Sequence, residues 1–362
     1  MEVSAFIAAD TEWNIMSMLS NEKLMREKWI DIVKAILIIA VVWGHVYNNG
    51  IFRRWLYSFH VPGFFLISGV CFKYYDFKIY IRKKIKGIVV PYAFFSITSI
   101  LFWKFTSLIY PKIKSLLNCN IIHNVGVALY GNSKPDLMKY NTPLWFLPCL
   151  FSTCVISYII KTLAIKRGKS IEYLGCLFCA GIGVIFSTHP NLTLPWHIET
   201  GVSMSVWFLL GSWLSEIKFT RYIDRMNSKI LIGITFLICG FVLENLNTCV
   251  LGVRNDSYGN LLIYYISSAS QILGIIVIAI RIHSSRVLEI IGRNTLGILS
   301  LHKFVIVMIQ LLLEKARYTV LNSCTIWSTL VGFAITVVSI LVSLIITRFI
   351  KIIYPWALGV SK

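Results

Sequence analysis

One stretch of the chain, Lys28-Trp-Ile-Asp-Ile-Val-Lys-Ala-Ile-Leu-Ile-Ile-Ala-Val-Val-Trp-Gly-His45, carries Asp31, Lys34 and His45 inside an otherwise apolar run. Read as a helix, Asp31, Lys34, Ile38, Val42 and His45 follow an i, i+3, i+7, i+11, i+14 spacing and share one face. At about 1.5 Å per residue, His45 lies roughly 25 Å beyond Lys28. A neutral imidazole at that depth can take a proton from an alcohol, or it can hydrogen-bond a neighbouring helix. Asp31 and Lys34 are spaced to pair near the inner interface.

The next segment, Tyr57-Ser-Phe-His60-Val-Pro62-Gly-Phe-Phe-Leu-Ile-Ser68-Gly69, brings His60 in from the same side as His45. Pro62 removes a backbone donor and is expected to open the helix, while Gly63 and Gly69 permit close helix approach. A structural role for the Pro, Gly and Ser positions outweighs direct chemistry. Further on, Asn294, Ile298 and His302 at i, i+4, i+8 form a second polar-edged face. It suits either an acceptor cavity or an interhelical hydrogen bond. Lys104, Glu216 and Lys303 also fall in or at apolar runs, with no partner assignable from the sequence.

The elements that must position these residues are membrane helices. Hydrophobic residues make up 57% of the 362 and charged residues 14%, against roughly 45–50% and 25% in soluble domains. Apolar runs of about 20 residues recur from end to end. The expected spans are Ile30–Tyr47, Leu56–Tyr75, Ile88–Ile109, Leu144–Ile160, Ile171–Thr188, Val202–Glu216, Ile230–Glu244, Asn260–Ile280, Asn294–Leu313 and Ile326–Thr347. The fold class is therefore all-α, a polytopic bundle of about ten transmembrane helices. With the N-terminus inside, 23 of the 35 Lys and Arg fall in cytoplasmic segments, 9 in outer ones, and Lys34, Lys104 and Lys303 within spans. That asymmetry puts both termini in the cytoplasm. Residues 1–24 read as a disordered lead-in and 25–362 as one membrane domain, whose first span is an uncleaved anchor.

The net charge of +19 would suggest nucleic acid in a soluble protein. Here the basic residues are divided among loops by topology, which argues against a nucleic-acid platform. The nine cysteines mostly fall inside apolar stretches, where thiols act as small hydrophobes. Cys176-Leu-Phe-Cys179 has the spacing of half a metal or redox motif but lies within a span and has no second half, so no metal is expected. The longest outer segment, Pro111–Pro143, carries Asn118, Asn120, Asn132, Pro135 and Asp136 and reads as a surface or re-entrant loop over a site.

Taken in tandem, Asp31-Ile-Val-Lys-Ala with Trp-Gly-His45, followed by Ser58-Phe-His-Val-Pro-Gly-Phe-Phe-Leu-Ile-Ser-Gly69, closely resembles membrane-bound acyltransferase family 3, which includes O-antigen, capsule and Nod-factor O-acetylases. Pro91-Tyr92, Pro143-Leu-Trp145-Phe-Leu and Gly292-Arg-Asn294-Thr-Leu-Gly297-Ile-Leu-Ser-Leu-His302 are similar to later landmarks of the family, so the resemblance spans nearly the whole chain. Leu299 stands where many relatives carry Tyr, and Gly63 where many carry a larger apolar residue.

The resemblance implies transfer of an acyl group, usually acetyl, from cytoplasmic acyl-CoA to a hydroxyl of a cell-surface or lipid-linked glycan, in a bacterial inner or plasma membrane. His45 matches the essential histidine and implies a general base or a covalent acyl relay. Asp31, Lys34, His60, Trp145, Asn294 and His302 are then expected around the substrates. In the basic segment Lys73–Lys86, Arg82, Lys83 and Lys86 are expected at the coenzyme A phosphates; positive-inside topology explains the same charges equally well. A transporter or flippase of lipid-linked sugars is the alternative, disfavoured because only the first half shows a Pro-Gly interruption. A polysaccharide polymerase is disfavoured by an outer segment with one carboxylate.

Overall fold

The computed structural model describes residues 28–47, 50–110, 113, 117, 119–134, 136–189, 191–247, 252–282, 284–315 and 326–360. The expected lead-in 1–24, with Lys23 and Arg26, lies outside these residues, as do Pro111, Lys112, Lys114, Asn118, Pro135, Cys249, Arg317 and Lys362. Among the described residues the fold is helical throughout, with one isolated β-bridge, Gly252 to Ser257.

In chain order the helices are α1 (Lys28–Val46), α2 (Ile51–Val70), α3 (Phe77–Lys84), α4 (Val90–Ile109), α5 (Ile121–Tyr130), α6 (Phe146–Arg167), α7 (Ser170–Thr188), α8 (Ile198–Glu216), α9 (Thr220–Asp224), α10 (Lys229–Asn245), α11 (Leu261–Ile282), α12 (Arg286–Arg293), α13 (Thr295–Lys315) and α14 (Ile326–Ile353). Each of the ten expected spans has a helix. Seven candidate spans are long and apolar enough to cross a membrane: α1, α3–α4 taken together, α6 with its leading turn, α7, α11, α13 and α14. The other three of the ten are α2, with Arg53, Arg54 and His60, the polar-edged α8, and α10 at 17 residues. The segment between α4 and α6 contributes α5, a short apolar helix capped by the Asn120 side chain and ended at Gly131, whose φ of 68° is left-handed.

The helix that carries His45 is central. Two thirds of α1's apolar window is buried within the protein, against 17% for α7 at the periphery. It packs against α2, α11, α12, α13 and α14. At its start Asp31 is fully buried and accepts from Arg293 Nε at 3.0 Å. The expected pair with Lys34 does not form; Arg293, delivered by α12, reaches the carboxylate first. Gly292 makes that approach possible, since a Cβ there would stand 1.9 Å from the Asp31 carbonyl oxygen.

Pro62 does not open α2, which continues through it. Lacking an N–H, Pro62 leaves the Ser58 carbonyl without its i+4 donor. Ser268 on α11 fills that role, donating Oγ to Ser58 O at 2.5 Å, and Gln271 Nε2 donates to Ser58 Oγ at 2.8 Å. In hydrocarbon an orphaned carbonyl has no water to turn to, so the proline dictates the docking of α11. Gly69 and Gly211 clasp α2 to α8. A Cβ at Gly69 would lie 1.9 Å from Phe208 O, and one at Gly211 1.9 Å from Leu66 O. Pro91 has a parallel effect near the start of α4. With no amide for Gly87 O, the chain widens to a π turn over Ile85–Val89, and Val90 N bonds Ile85 O. At the ends of α6, α7 and α8, Lys161 is buried between Glu172 (2.7 Å) and Glu216 (2.5 Å), and Lys169 joins Glu216 at 2.9 Å. Glu216 thus has the partners its sequence position left unassigned.

Two substitutions test this packing. Gly69→Ala drives a methyl group into a backbone carbonyl that cannot yield, and should abolish accumulation of folded protein, read as loss of the monodisperse peak in detergent. Ser268→Ala strands the Ser58 carbonyl and should cost about 1–3 kcal/mol, read as a lowered apparent Tm without loss of expression.

Candidate functional site

A cavity of about 220 Å³ opens beside α1, walled by α1, α2, the π turn, the start of α6 and the start of α13. Its lining is apolar (Ile38, Val41, Phe64, Phe146, Leu150 and Leu299 among others) with a few polar groups, Lys34, His45, His60, Ser68 and Thr295. That balance is usual for a site that encloses a ligand and orients it at a few points. Lys34 and His45 are eleven residues apart on one helix face, so the cavity follows α1 for about 16 Å. Lys34 forms no ion pair among the described residues, which leaves its ammonium available to an anionic group.

Around His45 the aromatic and imidazole rings cluster. Tyr57 Oη is 3.3 Å from His45 Nδ1, and the His302 ring centroid is 5.2 Å from that of His45. Tyr57 also meets His60 edge to face at 5.0 Å, and the Arg53 guanidinium lies 4.3 Å above the Tyr57 ring. Gly44 admits this arrangement: a Cβ there would stand 2.7 Å from Tyr57 Cε2. The glycine before His45 is what lets the phenol come alongside. His60 and His302 each place Nδ1 on the carbonyl one turn back, Leu56 O at 2.6 Å and Ile298 O at 2.8 Å. A carbonyl only accepts, so each Nδ1 carries the hydrogen and each neutral Nε2 is a bare lone pair.

Of the residues expected around the substrates, Lys34, His60 and Trp145 line the cavity with His45, and His302 joins through its ring contact with His45. Asp31 lies below the cavity in its pair with Arg293. Asn294 ends α12 and donates Nδ2 to Ile290 O at 2.7 Å, so its neighbour Thr295 reaches the cavity in its place. The three-residue face Asn294–Ile298–His302 is therefore broken at its first member. Arg82 and Lys86 are exposed, and Lys83 sits 3.5 Å over the Tyr75 ring. All three precede Gly87, which lines the cavity.

The sequence reading missed a second constellation, at the far end of the bundle. Lys134, 3% exposed, donates to Asp256 and lies 3.3 Å from Glu199. Asn132 Nδ2 donates to Glu199 at 2.8 Å, and Tyr258 Oη to Asp256 at 2.9 Å. Ser133 N donates to His197 Nε2 at 3.0 Å, which puts the His197 hydrogen on Nδ1, facing Glu199 at 3.6 Å. Trp196, His197 and Asp256 hold left-handed φ values of 59°, 51° and 50°, a strain of about 1–3 kcal/mol each that the buried network sustains. Trp145 lines the cavity and packs its indole 5.2 Å from the His197 ring, coupling the two sites. The members come from three segments, each more than 50 residues from the next, so no local spacing revealed them. Glycine is absent from all three positions; Asp and His visit the left-handed region more readily than most residues, too weak a signal to mark the site.

These features define a multi-pass membrane protein with an imidazole-lined cavity enclosed by its central helices. The family model described as an acyltransferase domain matches residues 27–348, and the chain belongs to that family, acyltransferase family 3. No curated protein and no solved structure matches it.

Burial, aided by Lys134 and Arg254, holds the His197 imidazole well below its ordinary value. The unfolded chain therefore binds a proton that the folded one refuses as pH falls through about 6.5. Stability should fall with pH below that point, and His197→Gln should reduce the slope by about one proton, about 1.4 kcal/mol per pH unit, measured as apparent Tm against pH in detergent.

Proposed function

We propose that the chain transfers an acyl group, acetyl foremost, from acyl-CoA at the cytoplasmic face to a hydroxyl of a cell-surface or lipid-linked glycan. The observation that carries this reading is the cavity that runs along α1 from Lys34, which forms no ion pair among the described residues, to His45. An extended thioester arm laid along it keeps an anionic portion near Lys34 and the basic run Arg82, Lys83 and Lys86, and presents the carbonyl at His45. The apolar walls exclude water, which protects a thioester from hydrolysis.

His45 is the group placed for the chemistry. As general base it takes the acceptor's hydroxyl proton while the oxygen attacks the thioester carbonyl. The C–S bond then breaks, and the thiolate leaves with a proton returned from His45. An acyl relay would instead form a C–N bond to the imidazole first and pass the acyl group on in a second step. His60 and Trp145 on the same cavity are positioned to hold the acceptor. Membership of the acyltransferase family supports the reaction class. Placement of the bundle in a bacterial inner or plasma membrane, with ten spans and both ends cytoplasmic, belongs to the same proposal: the family supports the membrane, the apolar runs the ten spans and the charge asymmetry the orientation.

Membranes containing the protein should move labelled acetyl from coenzyme A onto a surface glycan. His45→Ala should lower the rate by about 10²–10⁴-fold at unchanged protein abundance, and mass spectrometry of the glycans should show loss of an acyl-sized increment. Full activity in His45→Ala would sink the assignment.

A further inference from the structure

His302 is fully buried, yet its Nε2 finds no hydrogen-bond partner among the described residues. Its Nδ1 hydrogen is committed to Ile298 O, so the orphan is an acceptor, a lone pair waiting for a donor. Leaving a buried acceptor unmet costs about 1–3 kcal/mol, and α13 maintains that cost beside one ring in particular. The His45 ring centroid is 5.2 Å away at an interplanar angle of 39°. Two imidazole rings at that centroid separation are near enough for a nitrogen-to-nitrogen hydrogen bond, and contacts of this kind commonly tighten only when the reactive complex forms.

On the other side of His45, Tyr57 Oη faces Nδ1. A phenol both donates and accepts, so it accommodates either tautomer of His45. Bare Nε2 of His302 can only accept, so toward the His45 ring it accommodates only a nitrogen that bears a proton. The remaining charged and titratable groups whose fields reach His45 are His60 and Arg53 on α2 and Lys303, next along α13. Of the ring neighbours recorded for His45, Tyr57 and His302, the latter offers the one obligate acceptor.

We propose that His302 is a positioning residue that acts through His45: its Nε2 accepts a hydrogen bond from His45 when His45 carries the acceptor's proton. This rests on the transferase reading above. The step is balanced as it stands. The hydroxyl proton moves to His45 Nδ1, displacing the 3.3 Å Tyr57 contact, while the Nε2–H of His45 is left to His302; the C–O bond forms as the C–S bond breaks, and the proton passes from Nδ1 to the departing thiolate. His302 gains and loses no proton. It holds the protonated ring in place beside an apolar-walled cavity, where a directed hydrogen bond is worth more than in solvent.

His302→Asn keeps an N–H for Ile298 O and deletes the Nε2 lone pair. It should lower kcat on the order of tenfold or more, leave KM for acyl-CoA unchanged, and move the acid limb of the kcat–pH profile to lower pH, because His45 then holds its proton less firmly. Parental kcat with an unmoved pH profile, or a raised KM with kcat intact, overturns the proposal. An independent arm uses ¹⁵N-histidine-labelled parent protein in lipid bilayers, with His302 signals assigned by their loss in His302→Asn. The expected spectrum shows His302 protonated at Nδ1 and bare at Nε2, and on acidification a shared N–H···N signal with His45. An Nε2-protonated His302, or no shared signal, overturns the pairing whether or not the protein transfers acyl groups. Absent transfer beside an intact shared signal overturns the transferase reading alone.

Discussion

A polar group placed in hydrocarbon must be answered by another part of the same chain, because no water is there to answer it. The architecture around α1 follows from how that demand is met. Pro62 withholds an amide from the Ser58 carbonyl, so α11 supplies Ser268 and Gln271. Pro91 withholds one from Gly87, so the backbone widens into the π turn that walls the cavity. Asp31 cannot be left charged and alone, so Arg293 brings α12 against the start of α1. Each unmet group recruits an element, and the recruited elements enclose the site.

The same rule makes the exceptions informative. Lys34, His45 and His60 line a space instead of being sealed by side chains, and His302 presents a buried lone pair without a donor. Ionisable groups gathered at one cavity within a membrane bundle point to function. The far-end network shows the opposite treatment. Lys134, Glu199, Asp256 and His197 are almost wholly buried and satisfied by one another, at the expense of strained backbone at Trp196, His197 and Asp256. One cluster is closed and structural, the other open toward a ligand, and Trp145 touches both.

Much of the helical layout was legible beforehand because membrane helices are set by local apolarity and length. All ten expected runs are helical, although three fall short of the apolarity or length that marks a span on its own. The His45 face was legible for the same reason: its spacing is a property of one helix. Where a reading needed two helices, it was less secure. Asp31 took Arg293 in place of Lys34, and Asn294 turned aside at a helix end that its neighbours did not announce. Tyr57 and Gly44 stood in the quoted runs, but nothing in one segment says that a phenol will occupy the space over a glycine in another.

By itself, then, the sequence determined a helical membrane protein of the acyltransferase family, with Asp31, Lys34 and His45 on one face of α1. Composition, run length and helical periodicity act over neighbouring residues, and they carry that far. The cavity, the tautomers of His60 and His302, the Tyr57 contact and the buried lysine–carboxylate network were decided by the tertiary structure. The tautomers follow from a rotamer that sets Nδ1 on the carbonyl one turn back; the others depend on groups twelve to over a hundred residues apart, and those distances exist only once the helices have packed.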